Sequence, residues 1–186
     1  MSPLPKPTKA EIQAAAGKTV PDIIAANLQI LFCGINPSLY SAAVGHHFAR
    51  PGNRFWPTLY RAGFTDRLFA PEDDHDLLQL GYGVTNVVDR ATATADELST
   101  AELVAGGQQL MAKVQQYQPQ VLAILGIGAY RTAFRHPKAV MGQQLETIHG
   151  TMIWILPNPS GLNAHYQLDD LAHVFRALLL AVNERY

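Results

Sequence analysis

The sequence predicts an α/β domain: three layers, α/β/α, on a short central parallel sheet. Three observations predict it. Short apolar runs at 28–34, 121–126 and 152–157 are bounded by Gly, Pro or Asn, as buried strands are. Helical patterns separate them, and strands alternating with helices imply a parallel sheet covered on both faces. Polar residues follow the runs, "GINPS" after the first and "NPSGLNAH" after the last. In such sheets ligands bind beyond the carboxyl ends of the strands.

Taken in chain order, residues 1–19 are rich in proline and alanine and read as a flexible extension of low functional weight. Thr8 and Glu11 have the spacing of a capping box for a short helix there. A single domain is expected over 20–186. After the first strand, a helix should open at Asn53 as its cap, with Pro57 in the first turn, where proline is tolerated. The weaker run at 81–88, "GYGVTNVV", is read as a fourth strand. Ser99 and Glu102 form a second capping box. Leu103, Gly107, Leu110, Val114 and Tyr117 then mark one helical face, and Pro119 ends it. A short helix is expected at 128–135, after the strand at 121–126. Leu168, Leu171, Phe175, Leu178 and Val182 line one face of a final helix.

The 186 residues are 48% apolar and 16% charged, which makes a globular chain with a sizeable core. A formal charge of -1 argues against a protein held on nucleic acid by charge alone, though not against a small basic face. Cys33 is the sole cysteine, so no disulfide frame, zinc site or iron–sulfur cluster can be built on cysteines. It sits inside the first strand and reads as a small core residue. His46 and His47 lack a partner at metal-ligand spacing and are expected to be surface or DNA-facing groups. No metal and no cofactor is expected. No apolar run spans a bilayer and no signal peptide is evident, which points to the cytoplasm.

Three of the four strand ends carry polar groups to one rim: Asn36, then Asn86 with Asp89 and Arg90, then Asn158. The two "NPS" triplets should face each other across it. Asn36 precedes Pro37 and either caps a turn or holds a water, since a carboxamide donates and accepts together but takes no proton at neutral pH. Phe48, in the loop with His46, His47 and Arg50, either packs in the core or stacks on a planar ligand. Arg50 and Arg54 could reach phosphates. In the loop Ser160, Gly161, Leu162, Asn163, the apolar Leu162 is either buried by its neighbours or is a wedge of the kind that deforms DNA. His165 and the start of the last helix could then meet phosphate. Asp89 is either a local ion-pair partner of Arg90 or a carboxylate that stabilises positive charge or activates water. Glu72, Asp73, Asp74 and Asp76 read as a solvated loop cluster. Arg131, Arg135, His136 and Lys138 form a basic stretch that either holds a DNA backbone or is a solvated helix face. "GIGAY" lacks the full dinucleotide fingerprint.

The blocks "FCGINPS", "FARPGNRFW", "AGFTDR", "GVTNVVDR", "YQPQVLAILG" and "WILPNPSGLN" occur in order. Together they closely resemble the mismatch-specific uracil-DNA glycosylases, bacterial relatives of thymine-DNA glycosylase, over nearly everything from Val20 to the C-terminal helix. The resemblance implies the uracil-DNA glycosylase fold and removal of uracil from double-stranded DNA, especially opposite guanine. By motif position, Asn36 matches the water-positioning asparagine and Phe48 the aromatic that stacks on the extruded base. Asn158 matches the second-motif polar residue, and Leu162 the residue that fills the vacated stack. Backbone groups of Gly34 and Ile35 would read the base edge. The chain departs from the pattern at Ser38, where glycine is usual, at "GLNAH" in place of "GLS", and at Asn86, where a close relative carries lysine. A monomer acting on DNA with G·U or related mismatches is expected. The rival readings are a small-molecule nucleoside hydrolase and a non-catalytic lesion-binding module.

Overall fold

The computed structural model describes residues 6–184. Five strands form one sheet: β1 (Ile30–Gly34), β2 (Tyr82–Asn86), β3 (Val121–Leu125), β4 (Gly142–Ile148) and β5 (Thr151–Leu156), in the order β2-β1-β3-β5-β4. The four read from the sequence are present and mutually parallel, each within one or two residues of its expected bounds. β4 was not anticipated. It pairs antiparallel with β5 at the sheet edge, and its polar sequence "GQQLETI" lacks the apolar run of a central strand. An edge strand solvated along one side needs no such run.

The period-two pleat divides the core. Ile30, Phe32, Val121 and Ala123 face one layer, with Phe55, Leu59, Phe175 and Leu178 from α3 (Phe55–Ala62) and α6 (Leu168–Asn183). Leu31, Cys33, Leu122 and Ile124 face the other, with Leu110, Val114 and Tyr130 from α4 (Thr100–Tyr117) and α5 (Ile127–Ala133). Both faces are covered, which is why these strands read as unbroken apolar runs. The short α1 (Lys9–Gln13) and α2 (Leu39–Val44) complete the helices.

Both capping boxes form, Thr8 with Glu11 and Ser99 with Glu102. At α3 the cap is displaced by one residue. Asn53 Oδ1 accepts from the Phe55 N–H, but Arg54 is the residue that precedes the helix. The expected loose extension is in part folded onto the domain; residues 1–5 lie outside the described residues. Ala15 is fully buried, and Gly17 and Lys18 exchange hydrogen bonds with Ala91, Gly17 N donating at 3.0 Å and Lys18 O accepting at 2.8 Å. The acidic stretch is not a solvated loop either. Residues Pro71–Leu80 make 3₁₀ turns, and Asp74 is only 1% exposed.

Candidate active site

The strand register sets the site. Gly34 lies opposite Asn86, and Leu125 opposite Leu156, so the parallel strands end together on one rim. The segments after β1, β2 and β5 leave that rim and enclose a cleft of about 360 Å³. This is near the lower end of small-ligand pockets, suited to one nucleotide. Gly34, Ile35, Asn36, Phe48, Asn158, Ser160, Leu162 and Asn163 all line it. Gly161, His165 and Asp89 do not.

The two asparagines are held in opposite senses. Asn36 Nδ2 donates to the Arg90 carbonyl (2.9 Å) and to Thr92 Oγ1 (2.7 Å), which uses both amide hydrogens. Its Oδ1 is the atom left for the cleft, an acceptor. Asn158 Oδ1 accepts from the Ser160 N–H (3.0 Å), which leaves its Nδ2 as a donor. The partners fix both amide orientations, because a carbonyl only accepts and a backbone N–H only donates. The loop behind Asn36 is braced twice. Arg90 binds Glu102 through its guanidinium, and Ala91 is tied to Gly17 and Lys18.

Asn86 is a site residue that the sequence showed only as polar and on the rim. It is 5% exposed and lines the cleft, and its carboxamide has no protein hydrogen-bond partner among the described residues. That carboxamide opens into the cleft, so its donors and acceptor are available to a ligand. Beside it, Thr85 receives Lys113 Nζ (2.8 Å) and donates to Asp22 Oδ1 (2.8 Å), which fixes the end of β2. Gly34 makes the approach possible. A Cβ there would stand 2.6 Å from Asn86 Oδ1 and 3.3 Å from Phe48 Cζ. The carbonyls of Gly34 and Ile35 accept from the Val87 and Val88 N–H groups, both at 2.9 Å.

Phe48 sits at φ 53°, a left-handed conformation that costs a non-glycine residue energy and persists only where its surroundings enforce it. Its ring stacks on Phe55 (centroids 4.0 Å apart) and borders the cleft. The histidines before it enforce the turn rather than face outward as expected. His46 Nδ1 pairs with the buried Asp74 at 3.1 Å. His47 is buried, and its Nε2–H donates to the Pro21 carbonyl at 2.8 Å. Burial is the main cause that pushes the His47 pKa down, which keeps the ring neutral at neutral pH.

Other expected residues stand elsewhere. Asp89 is exposed and outside the cleft, and its neighbour Arg90 pairs with Glu102 instead. The carboxylate that does line the cleft is the exposed Asp96. Arg54 does not reach out for phosphate; its donors turn inward to the loop carrying Leu162. The first turn of α6 carries Asp169 and Asp170, negative charge that repels phosphate, and Arg61 engages Asp169. His165 is exposed, and its backbone N–H donates to Asn163 Oδ1. Arg131 closes on the Ala139 carbonyl, and none of the basic stretch lines the cleft. Leu162 is 70% exposed, with its side chain unpacked at the rim. Among the described residues no group of three or more His, Cys, Asp or Glu side chains could hold a metal, and no helix is long and apolar enough to cross a membrane.

A parallel-sheet α/β domain with a nucleotide-sized cleft between two asparagine-bearing loops defines a class of protein, and comparison supplies the family. The sequence model of the uracil DNA glycosylase superfamily matches residues 21–179, and the chain belongs to that superfamily. The solution NMR structure of a candidate uracil DNA glycosylase from Methanosarcina acetivorans is similar in fold. Its TM-score is 0.55 at 19% identity, covering 88% of this chain and 98% of that one.

Proposed function

We propose that this protein removes uracil from double-stranded DNA, preferentially opposite guanine, by hydrolysing the N-glycosidic bond and leaving an abasic site. The observation that carries the reading is the paired fixation of Asn36 and Asn158, one offering an acceptor and the other a donor to the same cleft.

A base in a duplex is out of reach, so the nucleotide must swing out; this costs a few kcal/mol, and least at a mismatch. Preference for G·U follows in part from that difference. Leu162 occupies the vacated stack. Phe48 stacks on the extruded pyrimidine, an interaction worth roughly 1–3 kcal/mol in other base–aromatic pairs. The Asn86 carboxamide, beside Gly34, meets the polar edge of the base. Among the described residues that line the cleft, only Arg50 and Asp96 bring formal charge, His47 being neutral, which suits an uncharged ring.

The bond from the sugar C1′ to the base nitrogen breaks with its electron pair leaving on uracil, through an oxocarbenium-like sugar. Asn158 Nδ2, with backbone N–H groups at the rim, stabilises the negative charge that spreads to the uracil carbonyl oxygen. Asn36 Oδ1 accepts a hydrogen bond from the water that adds to C1′. It orients that water and removes no proton; once the water oxygen has bonded to C1′, the proton it sheds passes to the departing uracil anion, so the products are neutral uracil and the abasic sugar.

The test is incubation with duplexes carrying uracil, thymine or alkylated cytosine opposite guanine, followed by alkaline cleavage of abasic sites. Strand breaks at uracil are expected, more from G·U than from A·U. Cleavage of free deoxyuridine with an untouched duplex would replace the reading with a nucleoside hydrolase. Tight G·U binding with no abasic site would replace it with a lesion-binding module.

A further inference from the structure

We infer that Arg54 is a positioning residue that holds the Leu162 loop in its protruding shape before DNA arrives. The proposal rests on the glycosylase reading for its consequence, but not for its geometry. Arg54 Nη1 donates to the Tyr166 carbonyl (2.5 Å). Nη2 donates to the carbonyls of Ser160 (2.5 Å) and Asn163 (2.9 Å), and the Arg54 backbone N–H donates to Pro159 O (3.0 Å). One planar fork thus gathers carbonyls from both sides of Leu162. Arg54 Nε is buried without a partner among the described residues, so the fold tolerates a desolvated N–H to keep the guanidinium there. Gly161 seats the loop from above: a Cβ on it would fall 2.6 Å from Gly52 O, in the turn just before Arg54.

Inside the loop, Asn163 N donates to Ser160 O and Leu162 N to Ser160 Oγ, so the backbone is committed while the Leu162 side chain stays 70% exposed. An apolar side chain held out on an ordered loop has already met its ordering cost in folding, and that cost is no longer charged to binding. Lysine cannot replace the fork, because its ammonium is a point donor and cannot address carbonyls spread over seven residues of loop.

The role predicts a loss confined to duplex DNA, where a stack must be opened. Single-turnover cleavage of uracil is measured in G·U duplex and in single strands, for the wild type, Arg54→Lys, Leu162→Ala and the double variant. Amide hydrogen exchange is followed over 160–166 in parallel. Arg54→Lys should lower the duplex rate relative to the single-strand rate by about tenfold or more, as lost preorganisation does. The double variant should be no worse than Leu162→Ala, and exchange should quicken at 160–166 while α3 stays protected. Gly161→Ala disturbs the loop with Arg54 intact and should give the same duplex-selective loss. Parallel loss on both substrates would overturn the inference, as would unchanged exchange in Arg54→Lys or an unchanged rate ratio in Gly161→Ala. A wild type that cleaves neither substrate would refute the proposed function alone. The exchange measurement then decides the clamp by itself.

Discussion

Replacing Gly34 by alanine tests the cleft where it is narrowest. The added Cβ would lie 2.6 Å from Asn86 Oδ1 and 3.3 Å from the Phe48 ring. A carbon–oxygen contact settles at about 3.3 Å or more, so the Asn86 carboxamide must retreat by roughly 0.7 Å. The ring must yield by a few tenths of an ångström. Alanine in place of glycine returns about 0.4–1 kcal/mol through the unfolded chain, against about 1–3 kcal/mol for the overpacked contact. The net loss is at most about 2.6 kcal/mol, small beside a typical domain stability of about 5–15 kcal/mol, so the variant folds. At about 2–4 °C per kcal/mol for a chain this long, the melting temperature should drop by no more than about 10 °C. Catalysis should suffer more, because a misplacement approaching 1 Å at a reacting site costs about 100-fold. Single-turnover uracil release from G·U duplex, with a thermal melt on the same sample, measures both. Adding Asn86→Ala should remove the clash and restore the melt while the rate stays low. A Gly34→Ala protein that cleaves at the wild-type rate would refute the placement of Asn86 against the base.

The other expectations concern the asparagine loop, the wedge and the brace. Asn36→Ala should lower uracil release about 100-fold or more by freeing the attacking water, with duplex affinity unchanged in a gel shift. Full activity would refute its role. Leu162→Ala gives up about 1.5–3 kcal/mol of apolar burial in the opened stack, so abasic product should leave about 10- to 100-fold faster, with cleavage in single strands, where no stack is opened, much less affected. Unchanged product release would count against the wedge. Glu102 is held down to about 2 from an ordinary 4.5, chiefly by its hydrogen bond from Arg90. A lowered carboxylate stabilises the fold above its unfolded value and loses that contribution as the pH falls, here between about 4.5 and 2. Glu102→Gln should therefore flatten that acid limb in urea melts taken from pH 6 to pH 2, and an identical limb in both proteins would exclude the pair as its cause.

What could be read from the sequence follows from where each residue's partners lie. Central strands covered on both faces announce themselves as apolar runs, and capping boxes are local in sequence, so both were legible. The shared rim followed from parallel strands ending together, which is how Asn36 and Asn158 could be expected at one cleft. β4 was missed because a solvated edge strand can be polar. Asp74 looked solvated because its partner His46 is 28 positions away. Arg54 looked like a phosphate ligand because its carbonyl partners lie more than a hundred residues downstream. Asp89 has the chemistry of a catalytic carboxylate, but in the segment after β2 it is Thr92 to Asp96 that line the cleft while Asp89 is exposed outside it, and spacing does not reveal which of these residues face inward.

Cys33 lies within β1 with no exposed surface, and burial pushes its thiol far above the ordinary range. Only the thiolate attacks oxidants and alkylating probes, so this sulfur is chemically silent in the folded state. A cysteine introduced at the tip of the 160–163 loop would then be the sole reactive handle for a fluorophore or spin label. Wedge insertion could be watched on the otherwise native chain, with no residue first removed from its core.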